Sequence, residues 1–143
     1  MRDVPRQLEE LAELFEGRTR LVEKLAEQDD PLGSAHDVIR TLSEEEKLEA
    51  LNAHPAIGAR RLSVRSAAEQ GTDDEPETLA ELERLNREYE ERFGFRFVVF
   101  VNRRPKSEIV PILRERLTRS RQEELDTAVE ELVAIAEDRW RRS

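Results

Sequence analysis

The chain has 143 residues, of which 40% are charged and 37% hydrophobic, and its formal net charge at pH 7 is -9. This length fits a single domain that buries a core without metal or disulfide support, and the sequence contains no cysteine. The acidic balance argues against a nucleic-acid partner, because phosphate binding needs clustered positive charge. No apolar run has the length of a membrane span and no signal-peptide pattern follows Met1, so we expect a cytoplasmic protein without a membrane partner.

Helical periodicity dominates the first forty residues. Apolar residues at spacings of three and four predict a helix over residues 5–15, with Gly17 as its stop, and a second helix over residues 19–28. A turn at residues 29–33 follows, and Ser34 is placed to cap a short helix that ends near residue 40.

The next helix is predicted to end at His54. Ser43 and Glu46 have the spacing of a capping box at its start. Pro55 disfavours the α conformation in the residue before it, so His54 lies at a helix C-terminus or in the turn that follows. Residues 59–70 can then resume as a helix.

The second half of the chain contains one run that is not helical in pattern. After an acidic turn at residues 71–77, a long apolar stripe predicts a helix that reaches Phe93 and is closed by Gly94. Residues 95–101, FRFVVFV, are then too short a run for more than an extended segment. No second strand-like run can pair with it, so its backbone groups need partners at a helix end, in water or in a ligand.

Two further helices complete the chain. Ser107 is predicted to cap a helix that reaches about Leu117 and tolerates Pro111 near its first turn, and Ser120 to cap the last helix. Continuing the apolar stripe of that last helix by three residues gives Arg139. The pattern as a whole predicts an all-α fold, a single-domain bundle of about seven to eight helices over residues 1–143.

His54 is the candidate general acid or base. Imidazole titrates near neutral pH, and Pro55 fixes this histidine outside regular helix. The alternative is that His54 only interacts favourably with the C-terminal helix dipole. His36, the other histidine, has no partners at metal-ligand spacing, so we predict no metal site.

A second candidate group lies in the sequence SAAEQ. Ser66, Glu69 and Gln70 share one face of a helix and would offer an amide-rich ligand both donors and acceptors. In a closed pocket the pKa of Glu69 could rise far enough to deliver a proton, whereas the alternative is an ordinary solvated carboxylate.

Arg139 is the third candidate, because it continues an apolar stripe with a charged group. An arginine there could bind a carboxylate through two parallel hydrogen bonds. Alternatively, its aliphatic stem packs on the stripe while its guanidinium reaches solvent at the helix end.

The order of several landmarks resembles one enzyme family over nearly the whole chain. FEGRTRLVEKL, LNAHPAIG, SAAEQ, LNREYEERFGFRFVVFV, ILRERL and ELDTAVEELVAIAEDRW are similar to the 2-oxo-4-hydroxy-4-carboxy-5-ureidoimidazoline (OHCU) decarboxylases, which act in the last step from urate to allantoin. The resemblance implies an all-helical carboxy-lyase of purine metabolism that acts on a small molecule. It also implies a homodimer that needs neither metal nor organic cofactor.

The resemblance also assigns roles to single residues. His54 matches the catalytic histidine, which would take the proton of a substrate hydroxyl, and Glu69 matches the catalytic glutamate, which would protonate one face of a carbon. The positions that match substrate-binding residues are Pro55, Ser66, Gln70, Phe97, Val98, Val99, Val101 and Arg139.

Two departures from the family pattern keep alternatives open. Many members carry Asp where this chain has Ala56, and a Ser-Pro-Trp cluster where it has Arg18, Thr19 and Arg20. One alternative is a related enzyme for a different ureido or imidazole carboxylate. The other is an inactive helical interaction domain, against which the retention of Ser66, Glu69, Gln70 and Arg139 argues.

Overall fold

The computed structural model describes residues 4–55 and 75–142, and every regular element in these ranges is an α-helix. This confirms the predicted all-α fold, while the helix predicted over residues 59–70 lies outside the described ranges. The helices are α1 (Val4–Leu14), α2 (Arg20–Ala26), α3 (Ala35–Thr41), α4 (Glu44–Ala53), α5 (Pro76–Phe93), α6 (Lys106–Arg116) and α7 (Arg121–Arg142).

The long C-terminal helix α7 organises the packing. It contacts α1, α3 and α4, while α2 packs against α1, α3 and α4, and α5 packs against α6. The stripe predicted on α7 is buried along its length, and it consists of Leu125, Val129, Leu132 and Ala136. None of the described helices is both long and apolar enough to cross a membrane.

Two of the predicted helix caps are confirmed in detail. The amide of Glu46 donates to the hydroxyl of Ser43 over 3.1 Å, and the amide of Ser43 donates to the Glu46 carboxylate over 2.9 Å. Ser120 and Glu123 make the same exchange at the start of α7, with both distances 3.2 Å. These bonds satisfy amides that have no partner inside the helix.

Two other predicted caps differ from the structure. Ser34 is the N-cap residue of α3, as predicted, but its side chain makes no capping hydrogen bond. Helix α6 begins at Lys106, and Pro105, with ψ 147°, is its N-cap residue. Ser107 therefore lies inside the first turn, and Pro111 lies in the second turn of α6 rather than near its start.

Residues 95–101, the predicted extended segment, form no helix or strand, and side chains supply most of the described partners of their backbone. The amide of Arg96 donates to Asn52 Oδ1 over 3.2 Å, and Arg116 donates to the carbonyl of Val98 over 2.7 Å. Arg104 donates to the carbonyl of Phe100 over 2.7 Å. We expected helix ends, water or a ligand as partners. That expectation is wrong for these three backbone groups, because they are hydrogen-bonded to arginine and asparagine side chains.

A buried ionic network contacts this segment through Arg116. Arg116 donates to Glu124 over 2.7 Å as well as to the Val98 carbonyl. The Tyr89 hydroxyl donates to the same carboxylate over 2.6 Å, and Arg119 donates to its other oxygen over 2.9 Å. The Glu124 carboxylate of α7 thus links Tyr89 of α5 to Arg116 of α6.

We expect Glu124→Gln to lower the free energy of unfolding by about 3 kcal/mol, because it leaves the buried Arg116 charge without its counterion. Urea unfolding followed by circular dichroism measures this change. Glu83→Gln is the matched control, since that carboxylate forms an exposed pair with Arg87 and should change stability by less than about 0.5 kcal/mol. Equal effects of the two substitutions would contradict the prediction.

Candidate active site

His54 ends α4 in the position that the sequence predicts. It has ψ 138°, so the chain leaves the helix there, and Pro55 follows half-buried. The side chain is 7% exposed, and its Nδ1 atom is buried with no hydrogen-bond partner in the described ranges. A buried ring nitrogen of this kind calls for a partner, and a bound ligand is one group that can supply it.

The surroundings of His54 keep its imidazole neutral. Burial lowers the pKa of His54 to about 4, since the charged form loses hydration. The positive charges of Arg139 and Arg96 lower this pKa further, whereas the carboxylate of Glu16 raises it. At pH 7 the ring therefore has one nitrogen that accepts a hydrogen bond and one that donates.

Arg139 lies on the buried stripe of α7, as its spacing predicts, but it does not reach solvent. The residue is 1% exposed. Its Nη1 donates to the carbonyl of Leu14 over 2.9 Å, and its Nη2 is 3.1 Å from Glu16 Oε1. The interpretation of Arg139 as a side chain extended to solvent is wrong, because the end of α1 supplies both a carbonyl and a carboxylate at its head group.

Sequence analysis did not single out Glu16, which is the partner of Arg139. The residue has φ 63°, a left-handed conformation usual for glycine at a helix end. The amide of Gly17 donates to the carbonyl of Ala12 over 2.9 Å, so Glu16 occupies the left-handed position that we assigned to Gly17. This conformation costs about 1 to 2 kcal/mol, and no local sequence signal marks it.

Gly17 instead permits close packing beside the site. A Cβ atom at this residue would lie 3.3 Å from the Cβ of Ala53, the last residue of α4. The turn between α1 and α2 can therefore lie against the end of α4, immediately before His54.

The remaining predicted site residues fall into two groups, one buried in the core and one outside the described ranges. Phe97, Val98, Val99 and Val101 have buried side chains that belong to the hydrophobic core. Arg96, immediately before them, donates to the His54 carbonyl over 2.6 Å, so the structure joins the start of this segment to the histidine. Three further predicted residues lie outside the described ranges, namely Ser66, Glu69 and Gln70.

Within the described ranges no group of three histidine, cysteine or acidic side chains is placed to hold a metal ion. His36 lies on the surface, with Nδ1 2.8 Å from Glu130 Oε2 and Nε2 3.8 Å from Glu137 Oε1. Its two nitrogens face different carboxylates, which is an arrangement for ion pairing.

A family model described as OHCU decarboxylase matches residues 3–141. The chain belongs to the OHCU decarboxylase family. Over 126 residues it is 32% identical to the 2-oxo-4-hydroxy-4-carboxy-5-ureidoimidazoline decarboxylase of Haloferax volcanii, with 84% of this chain and 74% of that protein covered. Over 108 residues it is 33% identical to the uric acid degradation bifunctional protein of Bacillus sp. strain TB-90, with 70% of this chain covered. The chain spans 21% of that longer relative.

Solved structures support the same fold. An OHCU decarboxylase crystallised in the presence of (S)-allantoin matches with a TM-score of 0.77 at 24% identity, covering 91% of this chain and 94% of that one. An (S)-allantoin synthase matches with a TM-score of 0.70 at 21% identity, covering 95% of this chain and 49% of that one. Family membership classes the chain as a decarboxylase, that is, a carboxy-lyase.

We expect the imidazole of His54 to titrate near pH 4 in the folded protein. Nuclear magnetic resonance of the His36→Gln variant isolates its signal, because the chain has two histidines. The unfolded state binds the proton first, so the stability contributed by neutral His54 is present above about pH 6.5 and lost as the pH falls towards 4. Between pH 7 and pH 5 the free energy of unfolding should fall by about 2 kcal/mol more than in His54→Gln. A midpoint near pH 6.5 would contradict the burial argument.

We expect Glu16→Gln to lower the free energy of unfolding by about 2 kcal/mol, because the buried guanidinium of Arg139 loses its counterion but keeps a hydrogen-bond acceptor. The pKa of His54 should fall as well, since the lost carboxylate is the group that raises it. The control is Glu23→Gln, which removes an exposed carboxylate paired with Arg20. An unchanged His54 titration in Glu16→Gln would rule out this electrostatic link.

Proposed function

We propose that the chain converts OHCU to (S)-allantoin without a cofactor, with His54 and Glu69 as its acid–base pair. The observation that carries the proposal is the buried, neutral His54 at the end of α4, whose Nδ1 has no hydrogen-bond partner among the described residues, in a chain of this family. The relatives named for urate degradation supply the substrate class.

Two of the three charged groups that act on His54 are cationic. Arg139 and Arg96 would attract the carboxylate of OHCU, while Glu16, which pairs with Arg139, opposes them. An anion close to the ring raises the pKa of His54, which makes the imidazole a better base when substrate is bound than when it is not. In this proposal Arg139 contributes to recognition of the substrate carboxylate or ureido group.

The reaction needs no external electron sink. The bond from the ring carbon to the carboxylate breaks, carbon dioxide leaves, and the electron pair moves towards the adjacent carbon–nitrogen double bond, whose nitrogen takes a proton from water. In the resulting enol the hydroxyl gives its proton to His54 as the carbonyl forms. Glu69 gives a proton to one face of the ureido-bearing carbon, which fixes the product as one enantiomer.

One departure from the family pattern bears on the alternative substrate. Arg20 lies at the surface, where its guanidinium is 3.3 Å from Glu23 and 3.5 Å from Glu46. These exposed ion pairs account for the arginine without a new ligand, which favours OHCU over a different ureido or imidazole carboxylate. Ala56 lies outside the described ranges. A homodimer and a cytoplasmic location stay predictions.

Circular dichroism of OHCU generated in situ from urate tests the proposal. We expect the protein to produce the signal of (S)-allantoin rapidly, and we expect His54→Ala and Glu69→Ala each to lower the rate by at least about 100-fold, as for removal of a general acid or base. His36→Ala is the control, because that histidine lies at the surface away from the proposed chemistry.

A racemic product that forms at the uncatalysed rate would overturn the assigned substrate. Tight binding of OHCU without turnover would instead favour the inactive interaction domain. Full activity in Glu69→Ala would leave the decarboxylase in place and remove Glu69 from its mechanism.

A further inference from the structure

Arg96 contacts the catalytic candidate through the main chain. Its Nη1 donates to the carbonyl of His54 over 2.6 Å and to the carbonyl of Asn52 over 3.3 Å. Carbonyls at the end of a helix have no partner inside it, and the amide nitrogen of Pro55 carries no hydrogen. The guanidinium therefore satisfies the end of α4 at the residue whose side chain enters the site.

The same arginine is held from two other sides. Its own amide donates to Asn52 Oδ1 over 3.2 Å, so main chain and side chain both hold the end of α4. Its Nε donates to Glu90 Oε1 over 3.3 Å on α5. Arg96 thus joins α4, α5 and the extended segment that begins beside it.

The three side-chain contacts of Arg96 depend on the shape of the guanidinium group. The planar guanidinium directs several donors in fixed directions, so one group can contact two carbonyls and one carboxylate at once. A lysine in its place would keep the charge but present one ammonium that could not reproduce this geometry.

The hydrogen bonds of Arg96 can affect catalysis because the backbone of His54, which they hold, determines where its imidazole lies. An acid–base group must be held within about 0.5 Å of its productive geometry, and a shift of about 1 Å can lower the rate about 100-fold. We propose that Arg96 is a positioning residue, whose guanidinium fixes the His54 peptide to the segment at residues 95–101 so that both keep one geometry during the reaction. This inference rests on the proposed function.

Charge and geometry at Arg96 can be separated. Three charged groups act on the His54 ring, namely Arg139 from α7, Glu16 from the turn after α1, and Arg96 from the extended segment. Arg96→Lys keeps the positive charge and removes the fork of donors, whereas Arg96→Gln removes both. A purely electrostatic role predicts a defect in the Gln variant alone, and a positioning role predicts a defect in both.

The experiment measures kcat and KM for OHCU in both variants, together with the titration of His54 in the His36→Gln background. We expect kcat to fall about tenfold in each variant, since the proton transfer is misaligned. KM should change less than about twofold in Arg96→Lys, which keeps the positive charge, and should rise in Arg96→Gln, which removes it. The pKa of His54 should rise in Arg96→Gln and stay unchanged in Arg96→Lys. Arg84→Lys and Arg84→Gln are matched controls, because the exposed Arg84 pairs with Glu81 and Glu88 of its own helix α5.

The carbonyl ¹³C shift of His54 reports the hydrogen bond without any turnover. Wild-type kcat in both Arg96 variants would overturn the inference while leaving the decarboxylase intact. If the wild-type protein does not turn over OHCU, the proposed function fails. The positioning role is then decided by nuclear magnetic resonance, since unchanged carbonyl and ring signals of His54 in Arg96→Lys would overturn it and shifted ones would support it.

Discussion

A guanidinium buried in the core sets the arrangement of the site. Arg139 is almost completely removed from water, and a charge in that position is stable only when its hydrogen bonds are made. The carbonyl of Leu14 and the carboxylate of Glu16 make two of them. These contacts tie the end of α1 to α7, and Glu16 makes its ion pair from a left-handed backbone conformation at the end of α1.

Arginine performs a related task at the extended segment. Arg96, Arg104 and Arg116 each satisfy backbone carbonyls with their side chains, at the end of α4 and along residues 95–101. A helical bundle has no strand to pair with such a segment, so its polar groups depend on side chains that reach in from neighbouring elements. The guanidinium groups of these arginines therefore stabilise the non-helical backbone beside the site by donating hydrogen bonds to its carbonyls.

Local rules account for what the sequence predicted correctly. The box of Ser43 and Glu46 and the effect of Pro55 on His54 involve residues within three positions of each other. The stripe of α7 needs only helical spacing. Each of these features can be predicted from residues that are close in sequence, without knowledge of tertiary contacts.

The features that sequence analysis missed depend on distant partners. Arg139 and Leu14 are 125 positions apart, and Arg96 and His54 are 42 apart, so no periodicity connects them. The lowered pKa of His54 likewise comes first from burial, which tertiary packing creates. The role of Glu69 rests on family resemblance, since this residue lies outside the described ranges.

The composition of the extended segment also has a consequence for the unfolded chain. Residues 97–101 are apolar, uncharged and rich in β-branched and aromatic side chains, the composition of segments that assemble into intermolecular sheets. In the native fold these residues are mostly buried, and the side chains of Arg116 and Arg104 occupy the carbonyls of Val98 and Phe100. Arg96 on one side and Arg103 and Arg104 on the other place charge at both ends, as gatekeeper residues do. The residues that hold this segment in the folded protein therefore also oppose its aggregation when the protein unfolds.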